Sequence, residues 1–480
     1  MRQVSPQVIA GWCGGSWVPQ APGWGVDRLC VNSQEAGEGR LFFALEGTHR
    51  DGHEFVGDVC KRGGAAVVRR GVWEGIGSSA GATVLQVEDP LRALRQIAAG
   101  WRATGLSRAR IIGVTGSAGK TSTKELCANV LSQLGPTART DGNFNNHIGL
   151  PLCVSRMNAE EVYGVFEAGV SHRGEMKELQ AVMRPDAAVV TCIGPAHIEF
   201  FGTRRAIAEE KAVLLSELPR SGFAVLGLES GEFDTLRAGC TGEMVTCSRE
   251  AERRCGKGAA DYVGLSVAGE GDVASQRLRI LETGSGEAVE VPVPPPGGYM
   301  EDNVLRAVAL GRRLGASWEA ISTGLTQGVR TRMRWEVVDL EGGCTAINDA
   351  YNANPLSVRA ALQAFSRWPV QGGRFLALGP MRELGECGRT EHESLGRECA
   401  RDAWAGLVVV AGGEPDLAEA LARGFLAAGG KPSQLGVAAD HVTATRWLQA
   451  RMTSGDAVLL KGSRAMAMER ILDGWQRNLE

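Results

Sequence analysis

Long hydrophobic runs are missing from this 480-residue chain: the longest, such as Leu407 to Ala411, fall far short of the ~18 apolar residues that a membrane-spanning helix needs. The opening Met1-Arg2-Gln3-Val4-Ser5-Pro6 lacks the basic and then apolar stretch of a signal peptide. Neither sign of charge is in excess: 52 Lys and Arg stand against 55 Asp and Glu, a net charge of −3, so no global basic field favours nucleic acid or an anionic membrane. The 12 cysteines form no C-x-x-C pair and no zinc-finger spacing, and read as free thiols in a reducing compartment. Internal repeats and heptads are absent as well. The expectation is a cytoplasmic monomer, with no nucleic-acid partner and no membrane insertion, whose phosphate binding is local.

What is present is ordinary globular composition, 44% hydrophobic and 22% charged. At about 150 residues per domain the length implies roughly three domains, each able to bury a core. The 65 glycines are about twice the usual share of ~7%, which suits many tight strand-to-helix turns. Short apolar runs at Leu41 to Leu45, Ala65 to Val68 and Thr83 to Val87 predict a small α/β unit over residues 1–106. Runs at Ile111 to Val114, Val162 to Phe166, Ala187 to Cys192 and Phe223 to Leu228 predict a parallel sheet over 107–328. A third, doubly wound α/β unit is expected over 329–480, with strands at Ala346 to Ile347, Arg374 to Leu378, Leu407 to Val410 and Ala457 to Leu460.

The most informative stretch follows the first strand of the middle unit: Thr115-Gly116-Ser117-Ala118-Gly119-Lys120-Thr121-Ser122, with a helix opening at once. Backbone N–H groups at a helix start point at an anion, glycines let the backbone approach it, Lys120 adds a point charge, and the Thr121 hydroxyl is placed for Mg²⁺. Position 114 is Val, so this is a shorter form than the strict G-x-x-x-x-G-K-[ST] loop. An ATP or GTP site is the reading that follows. Glu167 falls at the end of a predicted strand, where open α/β sheets bind ligands. His197 follows the next strand. Lys211, in Ala208-Glu209-Glu210-Lys211, reads by itself as an exposed helix face with charge pairs. Asn143, Asn145 and Asn146 suit sugar, diphosphate or peptide groups, or simply turns.

Thr115 to Thr123 closely resembles the T-G-x-x-G-K-[ST] loop of the Mur ligases, ATP-dependent amide-forming enzymes of peptidoglycan precursor synthesis. Asn143-Phe144-Asn145-Asn146 with Gly149 and Pro151 is similar to that family's G-N-x-N-N-x-x-G-x-P segment, and Glu167 to Glu175, which includes His172, to its E-x-G-x-x-H-x-G-E. His197-Ile198-Glu199 and Lys211 match an H-x-E and a downstream Lys. Asp349-Ala350-Tyr351-Asn352-Ala353-Asn354-Pro355, Met381 to Gly385 and Leu460 to Arg464 resemble the branch that adds D-alanyl-D-alanine to UDP-N-acetylmuramoyl-tripeptide.

The resemblance implies three α/β domains: uridine-binding, ATP-binding and a C-terminal Rossmann-like one that completes the nucleotide and acceptor sites. It implies a carboxylate activated by ATP as an acyl phosphate, with two Mg²⁺ ions. Thr121 and Glu167 would ligate one Mg²⁺ and His197 the second, with Lys211 carbamylated beside them. Asn303 would lie near adenine, while Arg334 and Asp349 reach the γ-phosphate and ribose. Arg334 also belongs to a cluster with Arg330 and Arg332 that could be a solvated face. Ser33, Asn143, Asn145, Asn146 and His172 would serve the UDP substrate, and Tyr351, Asn352 and Asn354 the dipeptide. The runner-up is the sister ligase adding diaminopimelate or lysine, whose D-N-P-[RA] motif is not found. A phosphate-loop switch or transport ATPase lacks support, because no strict Walker A or clear Walker B is present. Two departures stand out: Val31-Asn32-Ser33-Gln34 where the family shows [ST]-D-[ST]-R, and Pro380 in place of the Asp of G-D-M.

Overall fold

The computed structural model describes residues 3–48, 50–72, 83–256, 258–267, 276–296, 298 and 300–476. Three sheets succeed one another along the chain. In the first, Ser16–Val18 lies antiparallel on Val84–Val87, and Ala65–Arg69, Arg40–Phe43 and Arg28–Cys30 continue in parallel. The second has nine strands among the described residues. Its parallel part runs Thr137–Arg139, Tyr163–Glu167, Arg110–Thr115, Ala187–Val190, Phe223–Gly227, Glu243–Ser248 and Tyr262–Val267, and an antiparallel pair, Arg277–Glu282 and Glu287–Pro292, closes it. In the third, Glu336–Leu340 pairs antiparallel with Cys344–Asn348, followed in parallel by Ala457–Lys461, Arg374–Leu378, Gly406–Val410 and Leu435–Ala438.

The central strands of the second and third sheets are buried on both faces, as their unbroken apolar runs require. The helix Pro90–Gly105, capped by Asp89, packs its apolar face against the first sheet, including Leu41, Phe43 and Val67, and against the second unit. Leu94, Ile97 and Trp101 share one core with Leu179, Val182 and Leu214 of the second unit. The buried Arg102 donates to Leu106 O (2.6 Å), Met183 O (3.3 Å) and the Asp186 carboxylate (3.0 Å). The first sheet thus shares the core on one face with the second unit, while Cys30, Phe42, Val56, Val59, Ala66 and Val84 form a core of the first unit's own. No helix among the described residues is long and apolar enough to cross a membrane.

The loop after Arg374–Leu378 carries Pro380, and the bonds that hold it need no N–H from that residue. Pro380 O accepts from Ser463 N (3.2 Å), Arg382 N donates to Ser463 Oγ (2.8 Å), and Met381 N donates to Nε2 of the buried His392 (2.8 Å). His392 Nδ1 faces Gly388 O at 2.6 Å, so only the neutral ring protonated at Nδ1 satisfies both contacts. Burial holds the His392 pKa below its ordinary 6.5. As pH falls below 6.5 the unfolded chain takes up a proton that the folded one refuses, so this histidine withdraws stability on the acid side. His392→Gln, which cannot titrate, is expected to cost about 1 kcal/mol at pH 7.5 yet to lose less Tm than wild type between about pH 7 and 5.5, read by thermal melts.

Candidate active site

The strand Arg110–Thr115 delivers the chain into Gly116 and Gly119, which turn it onto the helix Lys120–Leu131. Both glycines are obligatory. Gly116 has φ +147° and a Cβ there would lie 1.9 Å from Thr191 Oγ1; Gly119 has φ +77° and a Cβ 2.8 Å from Asn303 Oδ1. Ser117 Oγ donates to Gly194 O (3.0 Å) and accepts from Gly194 N (2.9 Å), and Thr115 Oγ1 donates to Ala168 O (2.9 Å). Ala118 O accepts from Thr191 Oγ1. Two loop hydroxyls and the Ala118 carbonyl are thus engaged by the segments that follow the neighbouring strands, and the helix-start N–H groups form a cradle for an anion. Lys120 Nζ donates to Gly116 O at 3.0 Å.

Next to the cradle, Thr121 Oγ1 donates to Glu167 Oε2 (2.8 Å) and Asn145 Nδ2 donates to Glu167 Oε1 (2.7 Å). Glu167 is 1% exposed. Its charge is balanced by Lys120 and Lys211, both of which it stabilises in their protonated forms. Lys211 is 2% exposed, and burial, with Lys120 as a second cause, brings its pKa from 10.5 down to about 7. That is not the exposed helix face its local sequence suggests. It is a buried amine that neutralises near physiological pH.

From the third unit, Arg334 Nη2 donates to Thr121 Oγ1 (3.4 Å), with its guanidinium 4.0 Å above the Tyr351 ring. Arg334 Nε is buried without a protein partner. The solvated-face alternative for this arginine therefore fails. Asp349 accepts from Lys461 Nζ at 2.5 Å in a buried pair, and Lys461 also donates to Asn352 O (3.2 Å). Asn303 Oδ1 accepts from Thr123 Oγ1 (3.0 Å). Between the second and third units these groups border a cleft of about 390 Å³, lined by Ala118, Ser122, Asn303, Arg334, Asp349 and Lys461 among others.

Other candidates stand apart or are already engaged. His197, at φ +58°, presents Nδ1 to Glu383 Oε2 across the interface at 2.5 Å. His172 is exposed, 3.5 Å from Glu175 and beside the Phe200 ring. Asn146 Oδ1 accepts from Ile148 N and Gly149 N at the start of a helix. Asn354 caps the helix Pro355–Arg367 through Ser357 N and donates to Ser117 O (3.2 Å). Asn143 lies beside the Tyr351 side chain. Ser33 lies far along the first unit, in a single turn capped by Asn32, whose Oδ1 accepts from Gln34 N (3.0 Å). Lys461 and Arg306 also border the cleft and were given no role from sequence; a lysine ending the otherwise apolar strand Ala457–Lys461 was the available signal for the first.

Among the described residues no group of three or more His, Cys, Asp or Glu is placed to hold a metal ion. The donor set of one hydroxyl and one carboxylate still fits Mg²⁺, which takes one or two protein oxygens and completes its shell with phosphates and water.

Comparison with known proteins agrees with this geometry. The Mur ligase middle domain matches residues 114–311, and the Mur ligase, glutamate ligase domain matches residues 333–464. The UDP-N-acetylmuramoyl-tripeptide–D-alanyl-D-alanine ligase of Mycobacterium leprae is 31% identical, over 96% of this chain and 96% of that one. The Escherichia coli enzyme of the same name is 32% identical over 94% of each. A crystal structure of MurF from Acinetobacter baumannii superposes with TM-score 0.85 at 27% identity, covering 99% of this chain and all of that one. A MurF ligase from Thermotoga maritima in complex with ADP gives TM-score 0.78 at 27% identity, over 95% and 98%. With its three-sheet α/β fold and its phosphate loop, this chain belongs to the Mur ligase family.

Proposed function

We propose that the protein is an ATP-dependent ligase that joins D-alanyl-D-alanine to UDP-N-acetylmuramoyl-tripeptide, giving the UDP-pentapeptide, ADP and phosphate. The observation that carries the chemistry is the chain of contacts from Glu167 through Thr121 in the second unit to Arg334 in the third, beside a cleft that Arg334 lines together with Ala118, Gly119 and Ser122 of the phosphate loop and its helix. The relatives carrying that activity in their names match over nearly the whole chain. Residues 1–106 would hold the uridine end, 107–328 ATP, and 329–480 the dipeptide.

A carboxylate does not react with an amine until one oxygen is made a leaving group. The tripeptide carboxylate attacks the γ-phosphorus of ATP and ADP departs; the dipeptide amine then attacks the acyl carbon, phosphate leaves, and the amine proton passes to solvent. Phosphoryl transfer asks the protein for positioning and charge. The loop N–H groups and Lys120 hold the phosphates, and Arg334, with its unpaired Nε, meets the transferring charge. Thr121 and Glu167 would hold Mg²⁺, which neutralises phosphate charge when bound, and His197 and a carbamylated Lys211 would serve a second ion. Asn303 would face adenine and Asp349 the ribose.

The test is phosphate release by the purified protein with ATP, Mg²⁺ and UDP-N-acetylmuramoyl-tripeptide, with and without D-alanyl-D-alanine. Dipeptide-dependent release with a pentapeptide mass is expected. Turnover seen only with the UDP-dipeptide and diaminopimelate or lysine would transfer the assignment to the sister ligase.

A further inference from the structure

Tyr351 lies in the segment read from sequence as part of the dipeptide pocket, yet its contacts lead to the phosphates. Its ring carries the Arg334 guanidinium at 4.0 Å, and its backbone N donates to Met333 O at 3.2 Å. Arg334 itself sits between two non-glycine residues in the left-handed region, Met333 at φ +58° and Trp335 at φ +55°. Such a double kink persists only where its surroundings hold it. Glu336 supplies part of that hold, accepting from Met333 N (3.0 Å) and from Asn348 Nδ2 (3.0 Å), and the buried Trp335 meets Trp368 edge-on. The result is a guanidinium laid on an aromatic face beside the phosphate loop, with Nη2 reaching Thr121 and Nε lacking a partner.

We propose that Tyr351 is a positioning residue for phosphoryl transfer: its ring is the platform that aims Arg334 at the outermost phosphate of a bound nucleoside triphosphate, and it does not contact the incoming dipeptide. A long arginine side chain has many rotamers, and stacking on a fixed ring removes most of them before the nucleotide arrives. Arg334 and Glu167 meet at the same Thr121 hydroxyl, which accepts from the one and donates to the other. This inference rests on the ligase reading only for its kinetic half.

The test uses the full chain as Tyr351→Leu, Tyr351→Phe and Tyr351→Trp, with Arg334→Ala and the Arg334→Ala/Tyr351→Leu double variant. Calorimetry with Mg²⁺ compares adenosine 5′-(β,γ-imido)triphosphate with ADP. Tyr351→Leu is expected to weaken the triphosphate analogue about tenfold while ADP changes by less than about twofold, the range of a partly desolvated cation–π contact. Tyr351→Phe and Tyr351→Trp, which keep a ring, should retain most of the preference for triphosphate. In the Arg334→Ala background the leucine substitution should add no further loss. With dipeptide as varied substrate, kcat falls and the KM for D-alanyl-D-alanine holds.

A raised KM for the dipeptide with triphosphate binding intact would overturn the proposal, as would additive losses in the double variant. Loss of triphosphate preference in Tyr351→Phe would also overturn it, and that measurement stands even if the leucine variant does not fold. A wild type without dipeptide-dependent turnover would sink the ligase reading alone, because the nucleotide-binding pair still decides the platform.

Discussion

Lys211→Ala is expected to cut dipeptide-dependent phosphate release by about two to three orders of magnitude, the scale of losing one preorganised charge at a transferring phosphoryl group. Part of the rate should return on adding a short carboxylate such as acetate. Carbamylation needs the neutral amine: nitrogen attacks the carbon of CO₂, one C–O π pair becomes the carboxylate, and the nitrogen releases a proton. With the Lys211 pKa brought down to about 7, chiefly by burial, the neutral form is present above that pH and is lost as pH falls through it. Activity should therefore drop on the acid side and in CO₂-free buffer, and bicarbonate should restore it. A Lys211→Ala enzyme at wild-type rate, or one that no carboxylate rescues, would remove the carbamate from the mechanism.

The same residue makes a separate claim on stability. Between about 7 and 10.5 the unfolded chain binds a proton at Lys211 that the folded chain does not, so burial of this amine costs stability in full below about 7, and the cost fades toward pH 10.5. Lys211→Met should accordingly melt above the apo wild type at pH 7 while being inactive, and that gain should shrink as pH rises. This is the stability–activity trade expected of a strained functional position.

How much of this was legible in the sequence depends on distance along the chain. The phosphate loop was readable because strand, glycines, lysine and helix start are contiguous, each with its own local cause. Glu167 and Lys211 gained meaning from resemblance, since nothing within a few residues of Lys211 says that it is buried beside Lys120. The pairs Arg334 with Tyr351, His197 with Glu383 and Lys461 with Asp349 are made by tertiary packing and leave no periodic trace. Asparagines were ambiguous for a chemical reason: the same amide that binds a peptide also caps a helix, and Asn146 and Asn354 both sit at helix starts. The antiparallel pair Arg277–Glu282 and Glu287–Pro292 was passed over although its alternation was visible, because its strands carry only one or two buried apolar residues each.

Glu167→Gln separates charge from shape at the same centre. The two carboxylate oxygens each accept one bond, from Thr121 Oγ1 and from Asn145 Nδ2, and the group is 1% exposed. Glutamine offers one acceptor oxygen, so either Thr121 or Asn145 then faces an NH₂ group, and no negative charge is left for a cation shared with the phosphates. The expected result is a kcat lowered by about 10²–10³-fold with a raised Mg²⁺ requirement, measured by phosphate release across a Mg²⁺ titration. Glu167 also holds up the Lys211 pKa, so removing its charge should carry the acid limb of any residual activity to lower pH. A variant with wild-type Mg²⁺ dependence would place the cation elsewhere and leave Glu167 as a brace for Thr121 and Asn145.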